Sequence, residues 1–151
     1  MTIRIAQPND LQAMVNLARR TPLAPLWTAN QYERTLSEGS QKRIWVHSSD
    51  GIISGFLIAN EVVHEWEIEN VVVDMMQQRK NIATSLIQTL IHTATDSHGR
   101  CIHLEVRSLN LPASSLYRKM GFGIIGIRKD YYSNPQDDAL LFRLELGDNI
   151  S

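Results

Sequence analysis

Two rhythms of apolar residues run along this chain. Ile82, Leu86 and Leu90, with the parallel row Ala83, Ile87, Ile91 and Ala94, recur at intervals of three and four. That spacing makes one wide apolar stripe and predicts a helix, which Gly99 ends. Leu11, Met14, Val15 and Ala18 repeat it after Pro8, a residue suited to a first helical turn. Thr21-Pro-Leu-Ala-Pro25 breaks the pattern. Thr28 can then cap a second helix reaching about Glu38, closed by Gly39 and Ser40.

The second rhythm is that of strands. Residues 2–6, 44–47, 52–63, 65–74, Cys101–Arg107, 122–128 and 139–146 are strand-like, and Asp50-Gly51 marks a hairpin. Residues 112–120 predict a helix between two of them. Strands first, then a strand–helix–strand crossover, predict a mixed α/β domain with a parallel pair in the middle. Residues 1–146 form one domain on this reading, and 147–151 a frayed tail.

Composition narrows the partners. Fifteen Lys and Arg against 16 Asp and Glu leave a formal charge of −1, so no global field favours nucleic acid or an anionic membrane. The single cysteine, Cys101, excludes an intrachain disulfide. Met-Thr-Ile-Arg-Ile at the start lacks a basic region leading into a long apolar run, so the cytoplasm is the expected compartment.

Candidate chemistry gathers in two stretches. In Cys101–Arg107, alternation puts Ile102, Leu104 and Val106 on one face and Cys101, His103, Glu105 and Arg107 on the other. Glu105 is either a general base or, as pattern alone favours, an exposed carboxylate paired with Arg107 or His103. Tyr117 is either a general acid or an amphipathic anchor of its helix. Asn110 can cap that helix. The second stretch, Val71 to Ala83, leads from an apolar strand into the striped helix, where backbone N–H groups can face an anion beside Arg79 and Lys80. Cys101 reads as a buried inert thiol, and His92, His98, His103 and Glu105 have no metal-ligand spacing, so no metal is expected. Glu61, Glu65, Glu67 and Glu69 form an acidic rim that would attract a basic peptide end, or a solvated strand face.

Asn110, Ala113, Leu116 and Tyr117, followed by Gly121-Phe122, stand as Asn-x-x-Ala-x-x-Leu-Tyr and Gly-Phe. This resembles the GNAT superfamily of N-acetyltransferases. Leu104-Glu105-Val106-Arg107 and Arg128-Lys129-Asp130-Tyr131-Tyr132 narrow the resemblance to the bacterial ribosomal-protein alanine N-acetyltransferases, the RimI type. It implies a central, mostly antiparallel sheet, with a parallel central strand pair splayed at the acetyl-CoA site and helices on both faces. It also implies acetyl-CoA as cosubstrate, with Gln78, Arg79, Lys80, Asn81, Ile82, Ala83 and Thr84 around its pyrophosphate and Asn110 as a further contact. Val71, Val72 and Val73 would hold its pantetheine arm through their backbones. Asn81 departs from the motif, which has glycine there; asparagine is the next most tolerant of left-handed geometry, so weaker or displaced binding is expected.

The resemblance assigns Glu105 as base and Tyr117 as acid in direct transfer, without an acyl-enzyme. Trp27, Glu69, Tyr131 and Tyr132 would meet the acceptor, the N-terminal amine of a small-subunit ribosomal protein. No nucleic acid, membrane or metal is implied, and a monomer or weak dimer is expected. Acetylation of a small amine or of broader protein N-termini, and a non-catalytic acyl-CoA-binding module, are the alternatives.

Overall fold

A computed structural model describes residues 2–37 and 41–147, with 78–80 described by backbone alone. Seven strands form one sheet in the order β1-β2-β3-β4-β5-β7-β6. They are β1 Thr2–Ile5, β2 Lys42–Ser49, β3 Ile52–Val62, β4 Glu65–Val73, β5 Cys101–Arg107, β6 Gly123–Tyr132 and β7 Asp137–Glu145. The helices are α1 Leu11–Arg19, α2 Ala29–Leu36, α3 Ile82–Asp96 and α4 Leu111–Lys119. The chain divides into two compact units: Met1–Glu61 with Glu69–Leu90, and Val62–Ile68 with Ile91–Ser151.

In the first unit, β1 pairs antiparallel with β2, and β2 with β3. Asp50 and Gly51 both take positive φ at the hairpin, as the Asp-Gly signal predicts. A 3-10 turn, Pro8–Asp10, precedes α1. The Asp10 carboxylate accepts the Gln7 N–H at 2.7 Å and two Arg4 guanidinium bonds at 2.8 and 3.0 Å. Thr28 and Gln31 form a capping box at the start of α2.

Met14, Val15 and Leu17 of α1 and Tyr32 of α2 pack with Ile44, Val46, Ile53, Phe56, Ile58 and Val72. Phe56 therefore faces α1 and α2, and its neighbour Gly55 faces the other way. A Cβ on Gly55 would lie 2.9 Å from Ile82 Cγ2 and 3.4 Å from Leu86 Cδ1, which puts α3 on that opposite face. Helices thus cover both faces of the sheet in this unit.

In the second unit, β4 and β5 form the parallel ladder, from Glu65↔Cys101 to Ile68↔Leu104. β5 pairs antiparallel with β7 and β7 with β6, which is the edge strand. The alternation of β5 holds in part: Ile102 and Leu104 are buried and His103, Glu105 and Arg107 half-buried, but Cys101 on the second face is buried too and Val106 on the first is only half-buried. The expected mixed sheet with one parallel pair is therefore present.

Three local expectations change. α3 stops at Asp96, and the left-handed residue behind it is His98, not Gly99. Gly99 is needed for closeness instead, since a Cβ there would sit 2.9 Å from the Ala94 carbonyl and 3.0 Å from the Trp66 ring. β6 runs on to Tyr132 instead of ending at Arg128, through a register shift between those residues where Asp130 takes φ 52°. Tyr131 and Tyr132 are thus strand residues, not loop residues. The fourth helix starts at Leu111, one residue early, because Asn110 is its cap. The predicted end of the second helix at Glu38, Gly39 and Ser40, and the tail beyond Gly147, lie outside the described residues.

Candidate active site

Register decides what each face of β5 meets. Leu104 is paired with Phe142, and paired residues of an antiparallel ladder share a face. The Tyr117 ring packs 5.8 Å from Phe142 and 5.5 Å from Phe122, so α4 lies on the Leu104 face. Glu105 is paired with Leu141, which is paired with Gly126, on the opposite face. The two sequence candidates for acid and base therefore occupy opposite sides of the sheet.

Glu105 has neither of the partners anticipated for a merely structural carboxylate. Its Oε1 lies 3.3 Å from Nη2 of Arg128. Arg107 instead donates to the Pro135 carbonyl at 2.9 Å and stacks over the Tyr132 ring at 4.3 Å. Nδ1 of His103 lies 3.8 Å from a Glu67 carboxylate oxygen. The Arg128 guanidinium also stands over Tyr131 at 5.4 Å, and Tyr131 meets Tyr132 edge to face at 5.0 Å. Burial, then the charge of Glu105, holds the Tyr132 phenol above its ordinary value. Glu105, Tyr131 and Tyr132 are thus brought together, joined by Arg107 and Arg128. Arg107 was expected to pair with Glu105 and does not; Arg128, named only as part of a motif, takes that place because register across β5, β7 and β6 sets it on the same face.

Tyr117 is 6% exposed, and burial pushes its phenol well above the usual range, so it stays protonated at neutral pH. No hydrogen bond to its hydroxyl is found among the described residues. Asn110 caps α4, its side-chain oxygen accepting the Ala113 N–H at 3.2 Å.

In the first unit, β4 ends in Val72 and Val73, both buried, with Val71 half-buried. Asp74 follows, then a 3-10 turn, Met75–Lys80, and Asn81 in the left-handed region at φ 58°, ψ 28°. Asparagine here holds the conformation that the motif glycine would supply. Ile82, buried, opens α3, with Ala83 and Thr84 half-buried behind it. The backbone of this segment fits a phosphate-receiving turn at a helix start. The side chains of Gln78, Arg79 and Lys80 lie outside the described residues.

Trp27 packs on Tyr32 at 5.2 Å, and the Tyr32 hydroxyl accepts the Asn70 side-chain amide at 2.9 Å. Glu69 is ion-paired with Lys42. Within the acidic rim Glu69 is thus neutralised by Lys42, Glu67 faces His103, and Glu65 accepts a hydrogen bond from the Cys101 thiol at 3.6 Å. Cys101 is fully buried and burial raises its thiol, which leaves it inert. Among the described residues no cluster of three or more His, Cys, Asp or Glu could hold a metal ion. No described helix is long and apolar enough to cross a membrane.

Comparison with known proteins bears on both halves of this description. The [ribosomal protein bS18]-alanine N-acetyltransferase of Escherichia coli K12 is 28% identical over 152 residues, covering 97% of this chain and 98% of that one. The Salmonella typhimurium enzyme of the same name is 30% identical over 153 residues, with the same coverage. The crystal structure of the ribosomal-protein-S18-alanine N-acetyltransferase from Escherichia coli superposes with a TM-score of 0.88 at 26% identity, over 99% of this chain and 98% of that one. The family model described as "Acetyltransferase (GNAT) family" matches residues 11–122, from α1 through Tyr117 to Phe122. The chain therefore belongs to the acetyltransferase (GNAT) family, enzymes that move an acetyl group from acetyl-CoA to an amine.

Proposed function

We propose that this enzyme acetylates the N-terminal α-amine of a protein, with the N-terminal alanine of a small-subunit ribosomal protein as its acceptor. The observation that carries the reading is the clustering of Glu105 with Tyr131 and Tyr132. The Glu105 carboxylate meets Arg128, which stands over Tyr131, and its charge is felt by Tyr132 beyond, an arrangement of acid and aromatic rings suited to an ammonium on a flexible chain. End-to-end similarity to the bS18-alanine enzymes supports the choice of acceptor.

Amide formation from a thioester needs a neutral amine, a stabilised oxyanion and a proton for the departing thiolate. Glu105, through a water, takes a proton from the acceptor ammonium. The amine nitrogen bonds to the thioester carbon while the backbone N–H of Val73 polarises its oxygen. The nitrogen gives up its second proton to solvent as the C–S bond breaks, and Tyr117, from the face opposite Glu105, delivers a proton to the departing sulfur and is reprotonated from solvent. Burial keeps this phenol protonated at neutral pH and so able to donate, while making it a weaker acid than a free tyrosine. Trp27 and Glu69 line the acceptor's approach in this reading. Val71–Val73 and 78–84 hold acetyl-CoA, with Asn110 as a further contact.

The test is mass-detected acetyl transfer from acetyl-CoA to a basic peptide beginning with free alanine. An N-blocked copy with an internal lysine and a small polyamine run beside it. Transfer to the free-alanine peptide alone, lost in Glu105→Gln and lowered in Tyr117→Phe, supports the proposal. Transfer only to the polyamine overturns the acceptor, and full turnover by Tyr117→Phe overturns the acid.

A further inference from the structure

We infer that Arg20 is a positioning residue for the acetyl-CoA segment, acting through Asp74. The inference rests on the reading of 78–84 as the part that receives the cosubstrate's pyrophosphate. Asp74, directly after β4, uses all of its polar groups. Its N–H donates to the Ser54 carbonyl at 2.8 Å, and its own carbonyl accepts the Gln77 N–H at 2.8 Å. One carboxylate oxygen accepts the Met76 N–H at 3.0 Å. The other lies 3.4 Å from Nη2 of Arg20. One residue thereby ties the end of β4 to β3, starts the 3-10 turn and reaches the end of α1.

The far end of that turn is held just as firmly. Asn81 is in the left-handed region, and its carbonyl accepts both the N–H and the hydroxyl of Ser85 at 3.0 Å. The segment Met75–Lys80 hangs between these two points. Arg20 itself stands on a braced base. Its N–H donates to the Asn16 carbonyl at 3.3 Å, and the next residue, Thr21, donates its hydroxyl to the Leu17 carbonyl at 2.6 Å.

The charge at this place is otherwise wrong for the task. A carboxylate at the head of a turn that receives phosphates would repel them, and a facing guanidinium cancels that field. Arg20 is 54% exposed and Asp74 21%, so the pair adds little to global stability. Its use is local: it fixes the direction in which the turn leaves β4 and removes a repulsion.

The experiment measures acetyl-CoA affinity by calorimetry, with steady-state KM and kcat, for wild type, Arg20→Ala, Arg20→Lys, Asp74→Asn and the double variant Arg20→Ala/Asp74→Asn. Arg20→Ala should weaken acetyl-CoA binding about two- to fivefold, the range of an exposed ion pair. KM for acetyl-CoA should rise with it and kcat should change less. Arg20→Lys should recover part of the loss, and Arg20→Ala should add nothing on the Asp74→Asn background. Unchanged affinity in Arg20→Ala, or additive losses in the double variant, overturns the inference while leaving the cosubstrate reading intact. A wild-type protein that fails to bind acetyl-CoA overturns that reading, and the inference with it.

Discussion

Gly55→Ala would place a methyl where three groups of the first unit already meet. The added carbon would lie 2.9 Å from Ile82 Cγ2, 3.2 Å from the Val72 carbonyl oxygen and 3.4 Å from Leu86 Cδ1. Carbon atoms prefer separations of about 3.5–4.0 Å, so the first contact is short by about 0.6 Å. The Val72 oxygen is backbone and cannot swing away. Ile82 is β-branched, 1% exposed and the first residue of α3, so its χ1 has little freedom. Relief has to come from α3 backing off the sheet.

Overpacking of this kind costs about 1–3 kcal/mol. Alanine recovers about 0.4–1 kcal/mol by restricting the unfolded chain. The net is a loss of about 1 kcal/mol, or about 2–4 °C in Tm for a chain of this length. The displaced end of α3 is also the end assigned to the cosubstrate, so KM for acetyl-CoA should rise several-fold. Calorimetry and steady-state kinetics read the two effects. Gly123→Ala, where a Cβ would meet nothing within 4 Å, is the control and should stay within about 0.5 kcal/mol of wild type. A Gly55→Ala protein that melts at or above wild type, with unchanged KM, refutes the reasoning.

Val63 and His64 both take positive φ, 49° and 67°, in the turn between β3 and β4, and Val63 is 76% exposed. Asn-Gly suits such a turn, so Val63→Asn/His64→Gly should raise stability by about 1 kcal/mol, read as a higher urea midpoint. Among the described residues the buried Ser114 hydroxyl of α4 has no hydrogen-bond partner, so Ser114→Ala should stabilise by about 1 kcal/mol; a lower Tm would show that a water serves that oxygen. Arg4, through its hydrogen bonds, holds the Asp10 carboxyl below its ordinary value. Its stabilisation should be full above the unfolded value of about 3.9 and vanish as pH falls through the lower folded one. Asp10→Asn should therefore be less stable than wild type at pH 7, and urea melts of the two should converge in acid.

Periodic segments were legible before any coordinates. The α3 stripe and the Asp50-Gly51 hairpin each depend on residues close together in the chain, and each stands where the pattern put it. The Asn81 geometry was also foreseeable, since few residues besides glycine tolerate a left-handed turn. What failed depended on distant partners. Gly99 signalled a helix end but serves the Trp66 ring, some thirty residues earlier in the chain. Tyr131 and Tyr132 fell beyond the strand predicted over 122–128, while the bulge at Asp130 keeps them in β6. Of the candidate site, Glu105 and its two phenols could be named from sequence. The arginine that meets Glu105 could not, because register across two ladders chooses it.

The sealed sulfur of Cys101 makes the chain its own probe of opening. It is the only thiol in the sequence and fully buried, in a strand laddered on both sides, to Glu65 and to Glu145. A thiol reagent can reach it only when β5 comes loose, so the rate of modification counts those openings. No label need be engineered, and no tryptophan signal need be apportioned among three rings. Slower modification with a cosubstrate present would then give the free energy by which that ligand holds β5 closed, read from one atom.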